Sequence, residues 1–319
     1  MKQPSTKFDI ARYVSPEMLV RLRILGKYKW IERTGRTITP DGRGSTFTYP
    51  PVPPEASELV RIYRSVYTLD GMLDLFVKSR AVAGGLKIVA PSREQCEAME
   101  HTDANIPFSD FKSPYASMVF AWPNDWRPFG HGLDVTWMGE MRDSTFFSTR
   151  LDGDRIVTGL LAHDQFPTIE QAIRNSREEG SHISATNAIE RVAINLCLLM
   201  TIHRWTQRPM DRPGERKAKK LMRSRKRRVR EAGQRMLESL PRQFLLSFDQ
   251  DIKLVDRVEC DESDGKGKPK RPHWRRGYFK RQAYGPGWSK HRTIYIPPVM
   301  VNAGRFQGDV ADTKVTYRL

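Results

Sequence analysis

The hydrophobic pattern changes midway along the chain, and this change limits the possible folds more than any other feature. Four segments rich in β-branched and aromatic residues follow one another: YASMVFAW (115–122), VTWMGEM (135–141), STFFSTRL (144–151) and RIVTGLLA (155–162). Such segments are typical of strands, and Asp152-Gly153 is a favourable hairpin turn, so we expect an antiparallel sheet here. The apolar stretch at 184–206 then predicts a long core helix.

The remaining patterns predict an α+β fold. LKIVA (86–90) and the stretch 244–259 are typical of strands, while Ser92 with Gln95 and Thr168 with Gln171 are helix-capping patterns. Residues 213–240 predict one basic helix, and TIYIPPVMV (293–301) predicts a strand of a C-terminal β unit. Its two prolines place that strand at a sheet edge or end it. Helical and strand segments occur in blocks instead of alternating, which favours α+β over parallel βαβ units.

Two segments of biased composition suggest where domains are joined. TYPPVPP (48–54) is too rich in proline for a helix or a central strand, and DESDGKGKPKRP (261–272) has the composition of a flexible loop. We therefore predict an N-terminal helical segment with a linker (1–54), an α+β core (55–260) and a basic aromatic β module (261–319).

The positive charge is concentrated in two places. The chain has a formal net charge of +17, but residues 204–235 alone carry +11 and residues 266–292 carry +10, which leaves the rest slightly acidic. Two dense clusters indicate two contact surfaces for a polyanion, and nucleic acid is the partner that they favour.

The first cluster is the predicted basic helix. Met222, Val229, Met236 and Leu240 form a narrow apolar stripe on it, and the other faces are mostly cationic. One long helix of this kind would dock along the stripe and offer cations to phosphates, which gives affinity without sequence preference. The predicted ligands are Arg216, Lys217, Lys219, Lys220, Arg223, Arg225, Lys226, Arg227, Arg228 and Arg230.

The second cluster interleaves cations with aromatic rings. Cations neutralise phosphates, and flat rings stack on unpaired bases, unless the rings belong to the core of a small β unit. Gly285-Pro286-Gly287 predicts a tight turn within the cluster. The predicted nucleic-acid ligands are Lys270, Arg271, Trp274, Arg275, Arg276, Lys280, Arg281, Trp288, Lys290 and Arg292.

The same segment resembles a motif of uncharacterised bacterial, plasmid and phage proteins, HWRRGHWR-x-Q-x-YGPG-x-S-x-x-K-x-IWI-x-P. Here it is His273 to Lys280 (HWRRGYFK), then Gln282, YGPG (284–287), Ser289 and RTIYIPP (292–298). Tyr278-Phe279 replaces the second His-Trp, and Arg292 replaces a lysine. The resemblance implies a shared structural module and a prokaryotic or phage context, and no particular chemistry.

Catalysis is an alternative to plain binding. If the protein is a metal-independent ribonuclease or toxin-like enzyme, His273 and His291 are the acid–base candidates, Arg276 would stabilise the phosphate and Tyr284 would be a secondary proton donor. Five other residues could take part in acid–base chemistry or Mg²⁺ binding but have no supporting pattern around them: His131, His163, Asp249, Asp251 and Asp256. No established metal or nucleotide motif includes them, so we predict no metal and no cofactor.

A third interpretation is an interaction protein whose basic surface binds an acidic protein.

The chain has no apolar run of about 18 residues and no secretory signal pattern, which predicts a cytoplasmic protein without membrane contact. Its three cysteines, Cys96, Cys197 and Cys260, have neither disulfide-framework nor zinc-ligand spacing and fit a reducing compartment. Non-enzymatic binding of RNA or DNA is the interpretation that the sequence favours.

Overall fold

The computed structural model describes residues 35–38, 45–48, 77–78, 80–130, 132–140, 144–151, 156–175, 183–210, 214–240, 242–248, 254, 256–258 and 273–301. The predicted N-terminal helix, most of the proline-rich linker and the loop at 261–272 lie outside these residues. The first described elements are two short antiparallel strands, β1 (Gly35–Ile38) and β2 (Ser45–Thr48).

A mixed sheet of seven strands forms the centre of the fold. In sheet order its strands are β8 (Ile156–Ala162), β7 (Ser144–Leu151), β6 (Leu133–Glu140), β5 (Ser117–Ala121), β3 (Leu86–Val89), β10 (Gln243–Phe248) and β9 (Trp205–Pro209). The strands from β5 to β8 form the antiparallel sheet that the middle of the sequence predicts. The pairs β3–β5 and β3–β10 are parallel, and β9 joins β10 in antiparallel orientation. The α+β fold class is confirmed.

The predicted long core helix is also confirmed, as α3 below. Three helices share one core cluster with the sheet: α1 (Arg93–Glu100), α2 (Ile169–Asn175) and α3 (Ile183–Ile202). Leu196 and Leu199 of α3 are fully buried in the same cluster as Phe120 of β5 and Met138 of β6. The helix ends at Ile202, a turn before the predicted end. The chain turns into a strand there because the backbone of β9 satisfies its hydrogen bonds on β10.

Both capping patterns are present in the structure. The backbone N–H of Gln95 donates to Ser92 Oγ at 3.2 Å, and the N–H of Ser92 donates to Gln95 Oε1 at 2.8 Å, which is a complete capping box. The N–H of Gln171 donates to Thr168 Oγ1 at 3.2 Å at the start of α2. These local signals fixed where two helices begin.

The C-terminal β unit consists of two small sheets. The first contains β14 (Lys290–Ile296), β13 (Gly277–Tyr284) and β4 (Thr102–Asp103), with β14 at an edge. The second contains β11 (Asp256–Val258), β15 (Val299–Val301) and β12 (His273–Arg275). Prolines 297 and 298 separate β14 from β15, because proline cannot donate to a strand ladder.

The stretch 244–259, which the sequence predicts to be strand-forming, contributes β10 to the central sheet and β11 to a small C-terminal sheet. Strand β4 comes from the predicted core region and pairs in parallel with β13 of the predicted C-terminal module. The predicted domain boundaries remain predictions.

The described cysteines are buried thiols. Cys96 and Cys197 carry no disulfide, and burial raises the pKa of both. Cys260 lies outside the described residues. Within the described part of the chain, no helix is long and apolar enough to cross a membrane.

Candidate nucleic-acid interface

The basic segment folds into two helices, and the prediction of one long helix is wrong. The helices α4 (Glu215–Met222) and α5 (Arg227–Ser239) are joined by a turn at 223–226, and together they form what we call the helical hairpin. The turn is closed by hydrogen bonds to its own carbonyls. Arg230 Nη1 donates to the carbonyl oxygens of Ser224 and Arg225, at 3.2 and 2.9 Å.

Small residues allow the two helices to pack closely. Ala218 is fully buried between them, and a Cβ added to Gly233 would lie 2.8 Å from the carbonyl oxygen of Ala218. The apolar stripe that the sequence predicted is half-buried in the structure: Met222, Val229, Met236 and Leu240. A Cβ added to Gly214, the residue before α4, would lie 3.0 Å from Met236 Cε, so at least this part of the stripe lies where α5 meets α4.

The cations of the helical hairpin face solvent. All ten residues of the first predicted cluster are exposed, and so is Arg235. Two of the cations form ion pairs with acidic residues one turn away, Lys219 with Glu215 at 2.7 Å and Arg227 with Glu231 at 2.6 Å. Residues 215–240 carry 11 basic and 3 acidic side chains, so a net charge of +8 remains on a small surface.

The position of the helical hairpin makes it accessible. It is inserted between β9 and β10, and β9 is an edge strand of the central sheet. Among the described elements the two helices pack chiefly on each other.

Most of the described part of the second predicted cluster forms a β hairpin, which consists of β13, β14 and the turn between them. Its register pairs Phe279 with Tyr295, and these rings are 5.2 Å apart with Phe279 only 1% exposed. Tyr295 also contacts the ring of His203 edge-on, at 6.5 Å. The face of the hairpin that carries Phe279 and Tyr295 packs against the core.

The opposite face of the β hairpin is rich in cations and aromatic rings, and we call it the outer face. Residues directly opposite in an antiparallel pair share a face. By the observed register the outer face carries Tyr278, Lys280, Gln282, Tyr284, Lys290, Arg292, Ile294 and Ile296. Tyr278 and Tyr284 are each 40% exposed, and the guanidinium of Arg292 lies 5.5 Å from the centre of the Tyr284 ring.

The turn at the end of the β hairpin presents a tryptophan. Gly285 and Gly287 have positive φ angles of 81° and 61°, as the predicted tight turn requires. Trp288 also has a positive φ, 56°, and its side chain is 70% exposed. A backbone N–H of Trp288 donates to the carbonyl oxygen of Gly285 at 3.1 Å, which closes the turn.

The other predicted ligands of this cluster have different surroundings. Arg275 is exposed, whereas Arg276 is 24% exposed and forms an ion pair with Asp103 of β4. Arg281 is exposed and lies 3.3 Å from Asp110. Trp274 lies in β12, but its side chain is outside the description, and so are Lys270 and Arg271.

Two of the candidate catalytic residues, Tyr284 and His291, lie in the β hairpin. Tyr284 is paired with Lys290 and His291 with Ala283, so Tyr284 and His291 lie on opposite faces of the sheet. His273 belongs to a different sheet, with its side chain outside the description. The described strands therefore do not bring Tyr284 and His291 together on one face of the sheet.

Among the remaining acid–base candidates, His163 has described side-chain contacts, and these are packing and hydrogen-bonding contacts within the fold. His163 stacks on Phe108 at 4.5 Å and hydrogen-bonds to Thr145 at 2.9 Å. His131, Asp249 and Asp251 lie outside the described residues, as does the side chain of Asp256. In the described ranges there is no group of three or more His, Cys, Asp or Glu side chains that could hold a metal.

A polar network around the buried carboxylate of Glu170 supports the β hairpin and has no signature in the sequence. Glu170, 2% exposed, pairs with Arg191 at 2.5 Å and with Arg174 at 2.7 Å, and its other oxygen accepts the backbone N–H of Ala104 at 3.2 Å. Arg174 also lies 3.8 Å from Asp103, the partner of Arg276. The network therefore connects α2 and α3 to the residue that precedes β13.

Two further titratable groups lie in the same region. Burial and the nearby cations of Arg276 and Arg191 lower the pKa of His101 from 6.5 to about 4. Burial raises the pKa of Glu100, although the indole N–H of Trp126 donates to its carboxylate at 3.2 Å. Close in sequence, these two residues become buried only through contacts made by distant parts of the chain.

Comparison with known proteins identifies the family of this chain. No curated protein matches the sequence. Among solved structures, one described as "Crystal structure of AcrVA2" is similar over 76% of this chain and 83% of its own, with 12% sequence identity and a TM-score of 0.33. The model of the AcrVA2-like family, described as the anti-CRISPR type V subtype A2 family, matches residues 91–303, a range that includes both hairpins. Since this match covers well over half of the sequence, the chain belongs to the AcrVA2-like anti-CRISPR family.

Proposed function

We propose that this protein is an anti-CRISPR protein that acts against type V CRISPR systems by binding nucleic acid without cleaving it. The family supports the first part of the proposal. CRISPR effectors delegate target recognition to a guide RNA that pairs with DNA, so an inhibitor has polyanionic partners available at every stage.

The exposure of the cations on the helical hairpin is the observation that supports nucleic-acid binding. A net charge of +8 on two short helices is self-repulsive, and the ion pairs of Lys219 and Arg227 relieve only part of it. Phosphates bound at this surface would release condensed counterions, which favours association strongly at low salt. RNA and DNA both provide such phosphates.

Binding without cleavage is favoured by the placement of the acid–base candidates. Tyr284 and His291 point to opposite sides of the β hairpin, and Arg276 is occupied by Asp103. A general acid, a general base and a phosphate stabiliser would have to converge within hydrogen-bond reach of one phosphate.

Two measurements test this proposal. Expression of the chain should suppress interference by a type V CRISPR system in cells, and failure to do so would contradict the anti-CRISPR role. Purified protein should bind RNA and DNA with affinity that falls steeply as salt rises, and it should leave labelled RNA intact. Polyglutamate serves as the matched acidic polymer. Binding to polyglutamate as tight as to nucleic acid would favour an acidic protein partner instead.

A further inference from the structure

The β hairpin has a surface chemistry that differs from that of the helical hairpin. The helical hairpin offers cations without exposed large aromatic rings, whereas the outer face combines Tyr278 and Tyr284 with Lys280, Lys290 and Arg292. Same-face residues on a strand recur about every 7 Å, so Tyr278 and Tyr284 are separated by roughly 20 Å along β13. The rings and cations thus extend along the whole length of the hairpin.

The tryptophan at the turn is exposed and conformationally costly. A bulky residue with φ near 56° is strained, because its Cβ crowds the backbone in the left-handed region. Trp288 is the only non-glycine residue with positive φ in the described part of the chain, and 70% of its side chain is in solvent. Neither turn formation nor core packing explains a tryptophan at this position, because glycine would adopt the same φ without strain.

Charge complementarity indicates what this surface binds. Residues 277–296 contain no aspartate or glutamate. The outer face displays three exposed cations beside the exposed rings of Tyr278 and Tyr284, and Trp288 is exposed at the turn. Cations bind phosphates, and an exposed aromatic ring on a sheet stacks on a base whose face is free. In a duplex both faces of each internal base are already stacked, so rings of this kind favour unpaired nucleotides.

We infer that the β hairpin is a binding site for single-stranded nucleic acid. In this site Trp288 stacks on one base, Tyr284 and Tyr278 stack on bases further along the strand, and Lys280, Lys290 and Arg292 hold the intervening phosphates. The inference rests on the proposed function in that both assume a nucleic-acid partner, but it assigns single-strand preference to a surface separate from the helical hairpin. Arg292 over the ring of Tyr284 pre-positions one cation beside one stacking platform.

The test compares substitutions of Trp288 on two probes, a short oligouridylate and a duplex RNA of the same length. Trp288→Ala should weaken binding of the oligouridylate about five-fold or more and leave the affinity for the duplex unchanged. Trp288→Phe retains a flat ring and should recover part of the loss. Oligouridylate should also quench tryptophan fluorescence in the parent protein and quench it less in Trp288→Phe.

Trp288→Gly separates a functional role from a structural one. Glycine relieves the strain at positive φ, so the melting temperature should stay the same or rise by about 2 °C, while oligouridylate binding weakens as much as in Trp288→Ala. A lower melting temperature would show that Trp288 supports the fold and would overturn the inference. Unchanged oligouridylate affinity in Trp288→Ala, or equal losses for oligouridylate and duplex, would overturn it as well.

The helical hairpin provides the control that distinguishes the two proposals. If Lys217→Ala with Arg228→Ala leaves all nucleic-acid binding intact while Trp288→Ala impairs only the single strand, binding by the helical hairpin fails and the inference about the β hairpin holds. If the charge variant weakens both probes and Trp288→Ala weakens neither, the inference fails and binding by the helical hairpin holds.

Discussion

Arg276 and Asp103 form an ion pair between residues that are 173 positions apart in the sequence. Asp103 lies in β4, and Arg276 immediately precedes β13, the strand that pairs with β4. The pair therefore fixes the start of the β hairpin on the core, and Arg174 approaches the same carboxylate at 3.8 Å. The sequence predicted Arg276 as a phosphate ligand, whereas in the structure its guanidinium is paired with the carboxylate of Asp103.

We expect Arg276→Ala to destabilise the protein by about 1–3 kcal/mol, because it leaves the half-buried carboxylate of Asp103 without this charged partner. Chemical denaturation measures the change in the free energy of unfolding. Arg275→Ala is the matched control, since Arg275 is the neighbouring exposed arginine. A double-mutant cycle with Asp103→Ala should give a favourable coupling energy, and a coupling near zero would contradict the structural role of the pair.

The packing of the helical hairpin predicts an unusual response to alanine. Gly233→Ala would normally stabilise a helix by up to about 1 kcal/mol. Here the added Cβ would lie 2.8 Å from the backbone of α4, so we expect the helices to separate and their amide protons to exchange faster. Hydrogen exchange of residues 215–239 measures this effect directly. Exchange slower than in the parent protein would show that the two helices are not in close contact.

Two exposed cations of the helical hairpin test the electrostatic part of the proposed function. Lys217→Ala combined with Arg228→Ala should lower the slope of log K against log[salt] by about 1.8 for duplex and about 1.4 for single strands. Lys112→Ala with Arg127→Ala removes the same two residue types from other exposed positions and should leave the slope unchanged. Equal slopes for both double variants would refute binding by the helical hairpin.

The buried imidazole of His101 predicts a pH dependence of stability. The pKa of His101 is lowered from 6.5 to about 4, so the unfolded chain takes up a proton in this range while the folded chain does not. The free energy of unfolding should therefore fall as pH drops from 6.5 to about 4, with a contribution of about 3 kcal/mol from this residue. The raised pKa of Glu100 acts in the opposite direction, because the folded chain then binds the proton more readily.

His101→Gln isolates the contribution of this histidine to the pH dependence of the free energy of unfolding. Its stability should depend less on pH between 4 and 6.5 than that of the parent protein, as measured by chemical denaturation at a series of pH values. The same measurement on His291→Gln, which removes an exposed imidazole, corrects for the loss of a histidine. A pH dependence of His101→Gln equal to that of the parent would contradict burial of a neutral imidazole.

The sequence by itself determined the elements whose signals are local. Segments rich in β-branched and aromatic residues predicted the strands from β5 to β8, the pair Ser92 and Gln95 predicted the start of α1, and the apolar stretch predicted α3. It also located the two basic clusters, because charge composition does not depend on the fold. Such patterns are read within a few residues, so neighbouring residues are enough to specify them.

The tertiary structure alone decided how these elements are joined and which faces they expose. The basic segment was predicted as one helix, and only the structure shows the turn at 223–226 and the close approach of Gly233 to α4. The division of residues 244–259 between two sheets, the placement of Tyr284 and His291 on opposite faces, and the ion pair of Arg276 all depend on strand pairing. Packing and pairing are interactions between residues far apart in the chain, and local sequence patterns carry no information about which distant partner each residue meets.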